Sequence, residues 1–467
     1  MDLARTIPGR WPDRAFDSVI ILDFATKSSS FMSLGAFGLT RRVLLLVLGL
    51  CAGFSLLSCG GSSKKQTTSG LSERVLASQG VSSTSTFGGL VFIDGRNDTI
   101  ARVAPLSAGS SPGLMAVNPT RSILTAFDAG SNSVFAINTV TESTLGTVHL
   151  PGPTNSMVVP SATEVGYAAV PSAQVTGYSF VGAIDVMNLR GAISTTIAIP
   201  NAQTVISNDP GTQLIVFNGT DSIYIVSPGI AVPPVDQSCL NNTPNSVCTI
   251  VSGFDRPVYG IVSGNTAYIL NCGPECGGAQ ASVAIFDLGS LTVTNTIPVE
   301  AATWALLQGS TLYVAGTPAT GNDCSGQTTA ATVCGRLDAV DLGSQTYTSY
   351  VITNGTHDRM DMSANGQLFI GSYGCTNVGN VNNPSGEVRG CLSILNTTNG
   401  TVIIPPDNGD VTGLQGFSSR NIEYVAEGGL LRVYDTNKDI LLINDFVPQG
   451  TINIVGNIGD IKAIDFF

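Results

Sequence analysis

The chain has 467 residues, a formal net charge of −12 and only 12% charged side chains. It therefore lacks the clustered Lys and Arg that neutralise phosphates, which excludes non-specific nucleic-acid binding. Abundant Gly (53 residues) and a 43% apolar share point to many short buried strands joined by turns. Helix-rich surfaces would need more Glu, Lys and Arg.

In chain order, residues 1–31 are an acidic segment of mixed polarity, read as a non-native or disordered extension, with Met32 as the start of translation. Residues 32–58 have the layout of a secretory signal: Arg41 and Arg42, then an apolar run over 43–57, shorter than the roughly 20 residues that span a bilayer as a helix. The run ends in LLSCG at 56–60, which resembles the lipobox of bacterial lipoproteins. That resemblance implies cleavage before Cys59 and acylation of its thiol and new amino terminus. A plain signal peptide or short anchor is the other reading. Several acyl chains on one residue hold a soluble domain on a membrane where one chain alone is marginal. Gly60 after the cysteine resembles the class sent to the outer membrane. Residues 59–86, rich in Ser, Thr, Lys and Gly, read as the lipidated cysteine and a flexible tether.

From residue 87 to 467 one phrase recurs, shown best by SVAIFDLGSLTVTNTIPV at 282–299: an apolar strand ending in Asp, a polar turn, a second apolar strand. Aligning on the residue that ends the first strand gives Asp94, Asn138, Asn188, Ser227, Asp287, Asp341, Asn396 and Asp435. Each of the last seven follows another strand pair, such as WALLQGSTLYVAG. Two hairpins per repeat make a four-stranded antiparallel sheet, and such sheets copied around an axis make an all-β propeller. The count is eight blades, with seven as the alternative. TLYVAG at 311–316 and the phrase at 282–299 resemble the YVTN-type and lactonase-like propellers, a resemblance that implies the fold and leaves the activity open. An outer hairpin over 90–104 and a strand pair over 451–467 are expected to meet and close the ring.

Eight cysteines follow Cys59, in neighbouring pairs within polar intervals: Cys239 with Cys248, Cys272 with Cys276, Cys324 with Cys334, Cys375 with Cys391. An even, closely spaced set behind an export signal reads as four local disulfides. The competing reading, two thiolates of NCGPECGG on a metal, lacks a nearby His or further cysteine at finger spacing, and no metal or cofactor is expected.

Two histidines, His149 and His357, restrict acid–base schemes, and no nucleophile elbow, zinc-helix motif, phosphate loop or dinucleotide fingerprint occurs. THDRMDMS at 356–363 gathers His357, Asp358, Arg359 and Asp361 where an inner strand begins, and Asp255 and Arg256 occupy the matching place in an earlier blade. These six are the candidate channel-mouth cluster, read either as a ligand site or as ion pairs between blades. His149 is read as a surface residue, Trp304 as core, and DTNKD at 435–439 as turn chemistry rather than a calcium loop. The leading functional reading is a lipid-anchored module of the bacterial cell envelope, at the outer membrane, that binds or assembles protein or glycan partners without catalysis. A lactonase-like hydrolase working in the channel and a structural surface-layer or adhesive protein are the alternatives.

Overall fold

Each Asp or Asn that phases the repeat folds back on the turn that follows it. Asn138 Oδ1 accepts the backbone N–H groups of Val140 and Thr141 (2.9 and 3.0 Å), Asp287 Oδ1 those of Gly289 and Ser290 (3.1 and 2.6 Å), and Asp341 Oδ1 those of Gly343 and Ser344 (2.9 and 2.7 Å). Four residues past the phasing position the backbone turns left-handed, at Asp98, Glu142, Ala192, Leu291, Gln345, Gly400 and Asp439. A right-handed turn closed by one left-handed residue suits the twist of the two strands it joins. Asx side chains stabilise its start. Ser227 departs from this rule because the connection 227–247, tied by Cys239–Cys248, replaces the tight turn.

The computed structural model describes residues 68–81, 88–160, 164–229, 232–233, 235–240, 246–319, 324, 333–376, 390–405 and 409–465. The extension 1–31, the signal 32–58, Cys59 and the start of the tether lie outside them. The described residues form eight sheets, antiparallel but for the short edge strand Gln237–Ser238, which pairs parallel to Ile193–Ala198, so the count is eight blades rather than seven. The inner strands of blades one to seven are Pro112–Val117, Ser156–Val158, Thr204–Ser207, Pro257–Ser263, Trp304–Gln308, Thr356–Met362 and Val411–Gly416; that of the eighth is Asn457–Ala463. Each inner strand touches the inner strands of the blades before and after it, and the eighth touches the first, which closes the ring.

Burial alternates along the strands so that each face of a sheet serves a different neighbour. In the eighth blade Leu76, Leu90 and Phe92 pack against the first blade, whereas Val75, Ala77, Val91 and Ile93 pack against the seventh. Eight apolar clusters result, one in each gap between consecutive blades. The middle strands are covered on both sides and read as unbroken apolar runs; the outer strand Thr292–Pro298, by contrast, is largely exposed.

The closing blade corrects two boundaries. Arg74–Gly80 falls within the span read as tether, yet it is a strand, pairing with Gly89–Asp94 on one side and Asn457–Ala463 on the other. The carboxy-terminal contribution is that single inner strand: Thr451–Ile452 pairs instead with Leu430–Asp435 at the rim of the seventh blade. Composition misplaced the first boundary because RVLASQG carries few bulky apolar residues; its burial comes from the two blades that flank it.

All four cysteine pairs are bonded, with Cα–Cα distances of 5.2–5.7 Å. Three of them close connections between the second and third strands of blades four, five and six. A second strand returns to the side where its inner strand began. The described ends of these three connections therefore lie on the face of the ring at which the inner strands start.

Candidate functional site

The eight inner strands surround a cavity of about 1150 Å3, to which every blade contributes lining residues. The register slips near the start of five of these strands, at Pro112–Val117, Pro257–Ser263, Thr356–Met362, Val411–Gly416 and Asn457–Ala463. Such bulges re-aim side chains at the ends of a sheet.

The six candidate residues separate. His357, Asp358 and Arg359 line the cavity. Arg359 Nη1 pairs with Asp358 Oδ2 at 3.1 Å, and its Nε donates to Thr412 O in the next blade at 2.9 Å. His357 is 1% exposed; its Nε2 donates to Thr353 O at 3.0 Å, and burial pushes its pKa down to about 4, so the ring is neutral. Burial raises the Asp358 carboxyl, Arg359 working the other way. Asp361 sits in the seam to the seventh blade, where its Oδ2 accepts the Gly416 N–H at 2.7 Å. Burial raises it too, as it does Glu423 behind it, whose rise the Asp361 charge adds to.

Asp255 and Arg256 stand apart from the cavity lining. Asp255 Oδ2 accepts the N–H groups of Ala279 and Gln280 (2.8 and 2.6 Å), holding the end of the Cys272–Cys276 connection. Arg256 reaches back to the third blade, to Gly219 O at 2.9 Å and Asp221 Oδ1 at 3.6 Å. The pair braces the mouth from outside.

Five further residues complete the wall, Tyr259, Glu275, Trp304, Asp460 and Lys462, of which the sequence singled out Trp304 alone, as core. Tyr259 and Trp304, on adjacent inner strands, stack with ring centroids 3.9 Å apart and planes 16° from parallel. Trp304 is half-buried at the cavity rather than in the core. Burial pushes the Tyr259 hydroxyl up to about 12; the Arg359 charge, two blades on, is felt in the opposite sense. Lys462 Nζ pairs with Asp460 Oδ1 at 2.8 Å, while Asp460 Oδ2 accepts the Met115 N–H of the first blade at 2.9 Å. Glu275, from the disulfide-closed connection, has its carboxyl pushed up to about 7 by burial, the Thr317 N–H (2.8 Å) working the other way. The one sequence signal for these residues is polarity, GDIKA, inside an inner strand.

The mouth is tied loop to loop. Thr317 donates from its N–H to Glu275 and from its Oγ1 to Gly355 O (2.9 Å); Asn354 and Thr376 exchange two hydrogen bonds of 2.7 Å; the Gly374 N–H donates to Asp410 Oδ1 at 2.8 Å. This links the rims of blades four to seven into one rigid arc. Elsewhere, His149 is exposed beside a separate outer cleft of about 350 Å3 shared with Asp185 and Asp236. DTNKD is a turn, with Asp435 Oδ1 accepting the Asn437 N–H at 3.0 Å. Among the described residues no group of three His, Cys, Asp or Glu side chains is placed to hold a metal ion.

No protein-family model and no curated protein matches the chain by sequence. Among solved structures, dihydro-heme d1 dehydrogenase NirN in complex with DHE is similar at a TM-score of 0.56 and 10% identity, over 84% of this chain and 75% of that one. Hydrazine synthase of Kuenenia stuttgartiensis (TM-score 0.40, 11% identity, 72% of this chain and 80% of that one) and the β-propeller domain of Myceliophteria thermophila Cps50 (Swd1) (0.45, 9%, 70% and 95%) are more distant. At such identities the likeness to NirN shows the fold alone.

Proposed function

We propose that this propeller is a non-catalytic binding module, held at the bacterial cell envelope through acylated Cys59 and presenting the mouth of its ring to a protein or glycan partner. The observation that carries this reading is how the charged residues of the channel are engaged. Arg359 bonds Asp358 and the next blade's backbone, Asp460 and Asp361 accept backbone N–H groups of the next blade, and His357 is neutral and bonded to Thr353. Groups committed to the frame rigidify a surface and serve recognition by shape, which suits loops held on a stiff scaffold. The lipobox, with Gly60 after its cysteine, agrees with an exported, outer-membrane-held protein.

One observation favours a hydrolase of lactonase type: the Glu275 carboxyl, pushed up to about 7 at the cavity wall, is poised to exchange protons near neutrality. The readings separate by experiment. Pull-down from envelope extracts with the acylated protein is expected to recover a partner, and a panel of lactones is expected to be unaltered. Lactone turnover that disappears in Glu275→Gln would replace the binding reading with the hydrolase. Palmitate labelling that persists in Cys59→Ala would dispose of the anchor.

A further inference from the structure

We propose that the channel enclosed by the eight inner strands is a binding site for a neutral saccharide of several sugar units, seated on the Tyr259–Trp304 stack. The proposal rests on the binding-module reading and names the ligand class and its place.

Three independent features converge on that class. First, the stacked pair sets two aromatic rings in the wall, each covering one face of the other. Aromatic faces are electron-rich and pair with the polarised C–H face of a pyranose. Second, the cations that line the cavity already have carboxylate partners, Arg359 with Asp358 at 3.1 Å and Lys462 with Asp460 at 2.8 Å. An anionic ligand would have to displace a partner in place, and a cation would meet the two guarding positive charges. A neutral ligand disturbs neither pair.

Third, the wall has buried acceptors without donors. Asp358 Oδ1 and His357 Nδ1 have no hydrogen-bond partner. Because His357 Nε2 donates to Thr353 O, its Nδ1 is a bare acceptor. An unsatisfied buried acceptor carries a desolvation cost; these two atoms are closed to solvent, whereas the Asp358 side chain as a whole is 29% exposed at the channel wall. The opposite wall adds the amides of Asn155, Asn201 and Gln203 and the hydroxyl of Thr204, groups that both donate and accept, as sugar hydroxyls do. A ligand with one apolar face and hydroxyls around its edge matches all three features. The volume of about 1150 Å3 lies just above the usual range of about 300–1,000 Å3 for ligand pockets, so more than one ring is accommodated.

The chain contains two tryptophans, Trp11 and Trp304, so in a Trp11→Phe background Trp304 alone reports on the site. The full chain with that change is titrated with maltohexaose, cellohexaose and chitohexaose, read by indole emission and calorimetry. An anionic oligogalacturonate and free indole serve as class controls. The expected result is binding of at least one neutral hexaose with a change in Trp304 emission, weakened at least tenfold by Trp304→Ala and by Asp358→Asn at unchanged melting temperature. If Trp304→Ala does not fold, protection of Trp304 from acrylamide quenching by the bound hexaose in the parent chain supplies the same evidence. Binding of no neutral hexaose, binding only of oligogalacturonate or indole, or binding unaltered in Trp304→Ala overturns the proposal. A partner recovered equally by parent and Trp304→Ala, with no hexaose bound, overturns the channel site and leaves the binding-module reading standing. Cleavage of a bound hexaose supports the occupant and overturns the non-catalytic reading.

Discussion

Arg74 and Asp465, 391 residues apart, hold the ring shut: Nη2 lies 2.6 Å from Oδ1 and Nε donates to Oδ2 at 2.9 Å. The guanidinium is nearly buried and its Nη1 also reaches Glu142 Oε1 of the first blade at 2.9 Å. One side chain thus joins the first strand, the end of the last strand and the neighbouring blade. Removing one member of a buried pair leaves the other charge without its partner, at a cost of about 3–5 kcal/mol. Arg74→Ala is expected to lower stability by about 3 kcal/mol in denaturant melts, the low end because Asp465 keeps some access to water. A loss no larger than that of a surface substitution would show that strand pairing alone seals the circle.

The disulfides should rank by the length of chain they close. Cys272–Cys276 spans a separation of 4 residues and Cys375–Cys391 one of 16. In the chain-entropy account, a closed loop of about 15 residues contributes about 3 kcal/mol, and shorter loops less. Replacing Cys375 and Cys391 together by Ser is expected to destabilise by about 3 kcal/mol, and the Cys272 and Cys276 double replacement by less. The midpoints of guanidinium unfolding measure both.

Stability is expected to rise as the solution is made mildly acidic. Burial pushes the carboxyls of Asp185 and Asp338 up to about 7 and about 6. The folded state therefore binds protons that the unfolded state, with ordinary carboxyls near 3.8, releases. Their contribution is full below the unfolded value and is lost as pH rises through 6 to 7. His357, lowered to about 4, acts oppositely: its contribution holds above 6.5 and is lost as pH falls toward 4. From pH 8 to 6.5 the carboxyls act alone, so the melting temperature should increase over that interval. Asp185→Asn and Asp338→Asn together should reduce the increase, Glu275, also pushed up to about 7, carrying part of the remainder; an unchanged slope would count against these two groups as contributors.

Gly371 pairs with Arg359 in the sixth blade, and a Cβ there would lie 2.5 Å from Val411 Cγ1 of the seventh. Both partners belong to the packed gap between blades, where added volume forces neighbours apart at about 1–3 kcal/mol. Gly371→Ala is expected to destabilise by that amount, and Val411→Ala in the same chain to recover part of it. Calorimetric melts of the single and double variants check the coupling.

Trp304 illustrates where reading the chain stopped short. Its apolar surroundings, WALL, suggest a core position, but its ring is matched by Tyr259 from another blade and both face the channel. Asp255 and Asp358 look equivalent in sequence, each beside an Arg where an inner strand begins. Yet one holds a loop and the other lines the cavity, because the connection ending at Gln280 supplies backbone donors to Asp255.

The chain alone determined the hairpin grammar, the eight repeats, the Asx turns that phase them and the partners of the cysteines. All of these depend on residues a few positions apart, through strand alternation, turn geometry and short covalent loops. Folding in three dimensions decided that Arg74–Gly80 belongs to the closing blade, and which aromatic, carboxylate and cationic side chains meet across the channel. Those meetings depend on how far each sheet is turned against the next, a quantity set by packing in all eight gaps at once and carried by no single stretch of residues.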